Sequence, residues 1–103
     1  MIVQTVKFRS SLADEEVLRI IRERAPRFCA LPGLVQKWYV REAATGEICG
    51  IYLWDSEESL ASFRASELAR TIPEAYAVVA APRIETFEML FPLREMPPAV
   101  AVG

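Results

Sequence analysis

From Ile2 to Arg9 the chain alternates, with Ile2, Val6 and Phe8 on one side and Thr5 and Lys7 on the other, the period-two pattern of a half-buried strand. The period then lengthens. Val17, Leu18, Ile20, Ile21 and Ala25 recur at helical spacing; Ser11 stands ahead of them as a candidate cap, and Asp14, Glu15 and Glu16 suit the positive pole of a helix running to about Pro26. Leu31, Pro32 and Gly33 read as a turn. Strand formers return from Leu34 to Glu42, Thr45 and Gly46 reverse the chain, and Glu47 to Trp54 complete a hairpin. Asp55 and Glu58 have the D-x-x-E spacing of a capping box, opening a helix whose buried stripe is Leu60, Phe63 and Leu68.

Thr71, Pro73 and Glu74 mark a further helix start after a break, with Tyr76 and Val79 turned inward. A last strand is predicted over Arg83 to Leu93, where Phe87, Met89 and Phe91 alternate with Thr86 and Glu88. The domain then spans residues 1–95. Residues 96–103 carry two prolines and no periodicity, which predicts a tail that is mobile or lies on a partner.

The order β-α-β-β-α-β predicts an α+β fold of ferredoxin-like plan, an antiparallel sheet with helices on one face. Both faces of that sheet are apolar: Cys49, Ile51 and Leu53 oppose Tyr52 and Trp54, and Ile84 and Leu90 oppose Phe87, Met89 and Phe91. Helices cover only one face, so a homodimer closing sheet against sheet is expected.

Composition narrows the chemistry. The 103 residues are 52% hydrophobic, with mean hydropathy +0.18, yet no apolar run approaches the roughly 20 residues of a membrane span. The net charge of -2, with both signs interspersed, offers no basic stripe for nucleic acid. The first residues lack the pattern of a secretory signal, and Cys29 and Cys49 read as a reduced pair, so a cytoplasmic protein is expected. There is no His and no Asn, which removes His-based triads, imidazole zinc sites and the usual haem ligand. No metal or flavin motif is present, and no cofactor is expected.

One constellation remains. Gly50, Tyr52 and Trp54 share a strand face whatever the pairing, and a glycine beside two large rings makes a recess, bounded on the helix side by Phe28 and Phe63. A type I turn with a glycine bulge at Thr45-Gly46 sets Trp38 near Tyr52. A two-residue turn instead sets Tyr39 opposite Tyr52 and Lys37 opposite Trp54. Lys37, Tyr39 and Tyr76 are the candidate proton acceptors or relays; Trp54, Tyr52 and Trp38 are candidate walls for a planar ligand. The same aromatics also serve as plain core or interface, and Lys37 as a snorkelling surface residue.

The segments LPGLVQKWYV, TGEICGIYLWDSEESLASF and PRIETFEMLFPL resemble the YdhR-like monooxygenase family of the dimeric α+β-barrel superfamily, across Val3 to Arg94. Pro32-Gly33, Lys37 and Gly50-Ile51-Tyr52-Leu53 are its most telling pieces. The resemblance implies two sheets pairing as a dimeric α+β barrel. It further implies a cofactor-independent monooxygenase acting on a quinol- or phenol-like aromatic molecule, with Trp54 at the position of a cleft-lining Trp of relatives. The polar amide of some relatives and the haem ligand of others have no counterpart here. A non-catalytic small-molecule-binding or dimerisation module is the alternative, and lactone isomerisation by a carboxylate or Lys base is a third reading.

Overall fold

The computed structural model describes residues 1–95; the predicted tail lies outside them. The elements are β1 (Ile2–Phe8), α1 (Asp14–Cys29), β2 (Leu34–Arg41), β3 (Ile48–Trp54), α2 (Glu57–Arg64), α3 (Glu67–Arg70), α4 (Ile72–Ala75) and β4 (Arg83–Glu88). The strands form one antiparallel sheet in the order β2-β3-β1-β4. This is the ferredoxin-like plan with its second helical region broken into three pieces.

The sheet is not closed into a barrel, which corrects the barrel expectation. β2 and β4 are free edges with two strands between them, and closure requires a strand count, tilt and stagger that four strands do not supply.

In β1 the residues Gln4, Val6 and Phe8 are buried and pair across to Tyr52, Gly50 and Ile48 of β3. That face meets the helices. The core is built from it together with Val17, Phe28, Trp54, Leu60, Phe63, Leu68, Ile72 and Tyr76.

Several local expectations are revised. Helix α1 starts without a side-chain cap, because the Ser11 hydroxyl is turned to the Ala77 carbonyl at 3.1 Å, and the helix passes through Pro26 to bury Phe28. The cap of α2 is Ser56, whose hydroxyl accepts from the Ser59 N–H, one residue later than the Asp55 box predicts. Val79 is exposed. β4 ends at Glu88 because β1 begins at Ile2, and beyond the Met89 N–H to Met1 carbonyl bond of 3.0 Å no strand remains to pair with.

The hairpin adopts neither expected register. Residues 43–46 form a four-residue loop closed by Gly46 N–H to Glu42 C=O and Glu42 N–H to Glu47 C=O, both 2.8 Å, with Gly46 alone taking positive φ (+76°). Lys37 therefore pairs with Tyr52, Trp38 with Ile51 and Tyr39 with Gly50. Relative to the two-residue turn the slip is two residues, which preserves parity and puts Lys37 and Tyr39 on the helix-covered face.

At the other end of β2, Gly33 has φ +81°, and a Cβ there would sit 2.0 Å from Ser59 Oγ and 2.7 Å from Asp55 Oδ1. Its carbonyl accepts the Asp55 N–H at 2.9 Å, so the turn is locked to the start of α2. Gly33→Ala should lose about 1–2 kcal/mol to the left-handed backbone and about 1–3 kcal/mol to overpacking. Urea unfolding would read this as a lower midpoint, and an unchanged midpoint would contradict it.

Candidate active site

Under the helices, beside the end of β1 and the start of β3, a cavity of about 20 Å³ is lined by Phe28, Lys37, Tyr39, Gly50, Tyr52 and Tyr76 together with other apolar residues. Strand alternation delivers Lys37 and Tyr39 from β2 and Gly50 and Tyr52 from β3; α1 supplies Phe28. Tyr76 arrives from the end of α4. Its neighbour Ala77 has φ +46°, a strained value for alanine, and is held by Ser11, whose N–H and hydroxyl both donate to the Ala77 carbonyl at 3.1 Å.

Gly50 acts differently from the recess expected of it. A Cβ there would meet Tyr52 Cε1 at 3.0 Å and Lys37 Cε at 3.4 Å, so the missing side chain admits the Lys37 stem and the Tyr52 ring rather than leaving ligand-sized space. The volume suffices for about one water.

Lys37 is the centre of the arrangement. Its Nζ lies 3.4 Å from the Phe28 ring centroid and 4.3 Å from those of Tyr39 and Tyr52. Among the described residues no carboxylate pairs with it, whereas Lys7, the only other lysine, is ion-paired with Glu42. Burial lowers the Lys37 pKa to about 7, with a smaller push from the Arg24 charge. The ring faces act the other way, since their quadrupoles favour the ammonium. The group is thus poised between its two forms near neutrality, where a general base works best.

The phenols are less acidic than free tyrosine. Burial pushes Tyr39 up to about 12, and raises Tyr52 and Tyr76 as well. All three therefore favour the neutral phenol beside Lys37.

Three expected walls lie elsewhere. Trp54 is fully buried (0% exposed) and stacks on Tyr52 at 5.9 Å with an interplanar angle of 6°; its indole N–H donates to Gln4 Oε1 at 3.0 Å. Phe63 packs against both rings, inside the core. Trp38 is placed on the opposite sheet face, 46% exposed, because the observed register gives it the parity of Ile51.

Sequence reasoning missed Arg24. Its Nη2 donates to the Leu68 carbonyl at 2.9 Å and to Thr71 Oγ1 at 3.3 Å, its guanidinium carbon is 6.0 Å from the Phe28 and Tyr76 ring centroids, and its buried Nε has no partner. The available signal was spacing: Arg24 lies four residues before Phe28 and therefore on the same helix face. Among the described residues no cluster of three His, Cys, Asp or Glu side chains is placed to hold a metal ion. No described helix is long and apolar enough to cross a membrane.

Comparison with solved structures finds the same fold in proteins of low sequence identity. SnoaB, described as a cofactor-independent oxygenase from Streptomyces nogalater, matches with TM-score 0.73 at 19% identity, over 91% of this chain and 97% of its own. A "putative antibiotic biosynthesis monooxygenase" from Deinococcus radiodurans matches with TM-score 0.73 at 13% identity, over 94% and 100%. Another so described, from Caulobacter crescentus, gives 0.72 at 17% identity, over 87% and 90%. A search of curated protein sequences finds no match. The family model described as "Putative mono-oxygenase ydhR" matches residues 3–95, and the chain belongs to that family.

The buried amine sets a pH dependence of stability. Below about pH 7 Lys37 is charged in folded and unfolded chains alike, and the cost of burying that charge is fully felt. Between about 7 and the ordinary value of 10.5 the unfolded chain binds the proton that the folded chain does not, so this group makes stability rise with pH. Lys37→Met should therefore raise Tm near about pH 6, with a gain that fades toward about pH 10. Calorimetric melts of both proteins across that range would show it; a gain independent of pH would refute the buried charge.

Proposed function

We propose that the protein is a cofactor-independent monooxygenase acting on a quinol- or phenol-like aromatic molecule, with Lys37 as the base. The observation that carries this reading is the Lys37 amine, enclosed by Phe28, Tyr39 and Tyr52 without a carboxylate partner and titrating at about 7. Family membership and the fold shared with SnoaB support the reaction class.

In this reading the neutral amine takes the phenolic proton. The positive field of Arg24 and the new ammonium stabilises the phenolate as it forms. A ring carbon of the phenolate then bonds to dioxygen, and the adduct is protonated to a hydroperoxide, which loses water to leave a quinone carbonyl. One oxygen atom thus enters the product, the other leaves as water, and the substrate itself supplies all the electrons. Tyr39 and Tyr76, neutral at working pH, orient the oxygen substituent by hydrogen bonding, and Phe28 and Tyr52 stack on the ring. At about 20 Å³ the cavity holds no ring, so substrate entry requires Lys37 and Tyr39, partly buried side chains on an edge strand, to swing outward.

A second reading, a non-catalytic binding or dimerisation module, is favoured by a different observation. The open sheet face carries Val3, Trp38, Val40, Ile51 and Phe87, an apolar surface whose Trp38 and Phe87 are about half exposed. A homodimer covering this face fits either reading, because burying it removes a large apolar patch from water.

Oxygen uptake over a panel of quinols and anthrones tests the chemistry. Turnover should rise with pH through about 7, and Lys37→Met should lower kcat by about 10²–10⁴-fold with KM little changed, the range for a lost general base. Activity untouched by that substitution would eliminate Lys37 as the base; absence of uptake with every substrate would favour the module. For the assembly, sedimentation at micromolar concentration should give a dimer, and Phe87→Glu should shift it to monomer. A wild-type monomer would end the homodimer proposal.

A further inference from the structure

The largest described spaces lie away from Lys37. β4 packs principally on β1, and although Ile84 pairs with Val6 and so points to the helix side of the sheet, it remains 54% exposed. The helices stop short of it. The result is a groove of about 240 Å³ between β4 and the α2–α4 region, with Gln4, Val6, Ile72 and Ile84 in its apolar part and Arg64 and Arg70 at its side. That volume approaches the lower range of small-molecule sites, about 300–1,000 Å³.

The charge of the groove is one-sided. Arg64 and Arg70 stand in the last turns of α2 and α3, where the helix termini favour a cation, but that does not account for both lining one apolar space. Among the described residues neither is ion-paired, in contrast to Lys7, Arg19, Arg41 and Arg83, and no carboxylate lines this part of the groove. On the other side of Arg64 is a separate space of about 370 Å³, which Glu57 and Glu88 also line. An anion is repelled from that side and drawn to the Arg70 side. Gln4 is a second polar handle: it is 1% exposed, its Oε1 is engaged by Trp54, and its amide nitrogen is the remaining donor.

We propose that this groove is a binding site for an aromatic monocarboxylate, its ring over Val6, Ile72 and Ile84 and its carboxylate on Arg64 and Arg70. The proposal goes beyond the oxygenase reading and does not require chemistry at Lys37. The two places are nonetheless adjacent, since Val6 and Ile72 line both.

The test is isothermal titration of the full chain with naphthoate and with its uncharged amide. Naphthoate should saturate at one per chain and bind about tenfold more tightly than the amide, the effect of a charge-assisted contact. Arg64→Gln with Arg70→Gln should bring the acid down to the amide without weakening the amide. Ile84→Trp should block both ligands; should that variant fail to fold by circular dichroism, Ala69→Phe on the opposite wall carries the same expectation. Lys37→Met should leave naphthoate binding unchanged. Equal binding of acid and amide, no saturable binding, or full binding when the groove is blocked would each overturn the proposal. Naphthoate binding with no oxygen uptake on any substrate would support the groove and count against Lys37 alone.

Discussion

The hydrogen bond from the Trp54 indole to Gln4 Oε1 is the constraint on which the rest of this structure depends. A fully buried N–H needs an acceptor, and here it comes from the neighbouring strand. The bond forms in the observed β1–β3 register, with Gln4 opposite Tyr52 and Ile2 opposite Trp54. A one-residue slip would turn Gln4 to the open face and orphan the indole. Once that register is set, Val6 faces Gly50, Phe8 faces Ile48, and the space beside Gly50 is closed by Tyr52 and by the stem of Lys37.

The two lysines show how placement alone gives one residue type two different environments. Lys7 sits on the open face, ion-paired with Glu42. Lys37, in the same sheet, loses water and receives ring faces instead of a carboxylate. Burial favours the amine and the rings favour the ammonium, and burial brings its pKa down to about 7.

How much of this was legible depended on whether a feature is local. The face shared by Gly50, Tyr52 and Trp54 follows from strand period alone and is present as read. Gln4 was overlooked because a Gln in a strand reads as a solvent position, yet it stands in phase with Ile2, Val6 and Phe8, and that phase was the signal. The hairpin was not legible from Thr45-Gly46, since the reversal extends over Ala43 and Ala44 and only Gly46 needs the left-handed region. An even slip kept Lys37 and Tyr39 on the cavity face, while Trp38, expected there under the bulged register, was moved to the other. The barrel expectation failed for a topological reason: a four-stranded sheet with two free edges does not close.

The groove beside β4 was beyond any local reading, because it is defined by what fails to cover a strand. Helices α3 and α4 are four residues each, too short to extend over β4. The chain breaks there because Ser66 and Thr71 start new helical turns and Pro73 lies in the first turn of α4. The broken helix thus has two effects at once. It carries Tyr76 back under the sheet to close the small cavity, and it leaves Ile84 uncovered to open the large one. Apolar burial near Lys37 and apolar exposure near Arg70 are consequences of the same interruption, and any change that extended α2 into one continuous helix would alter both sites together.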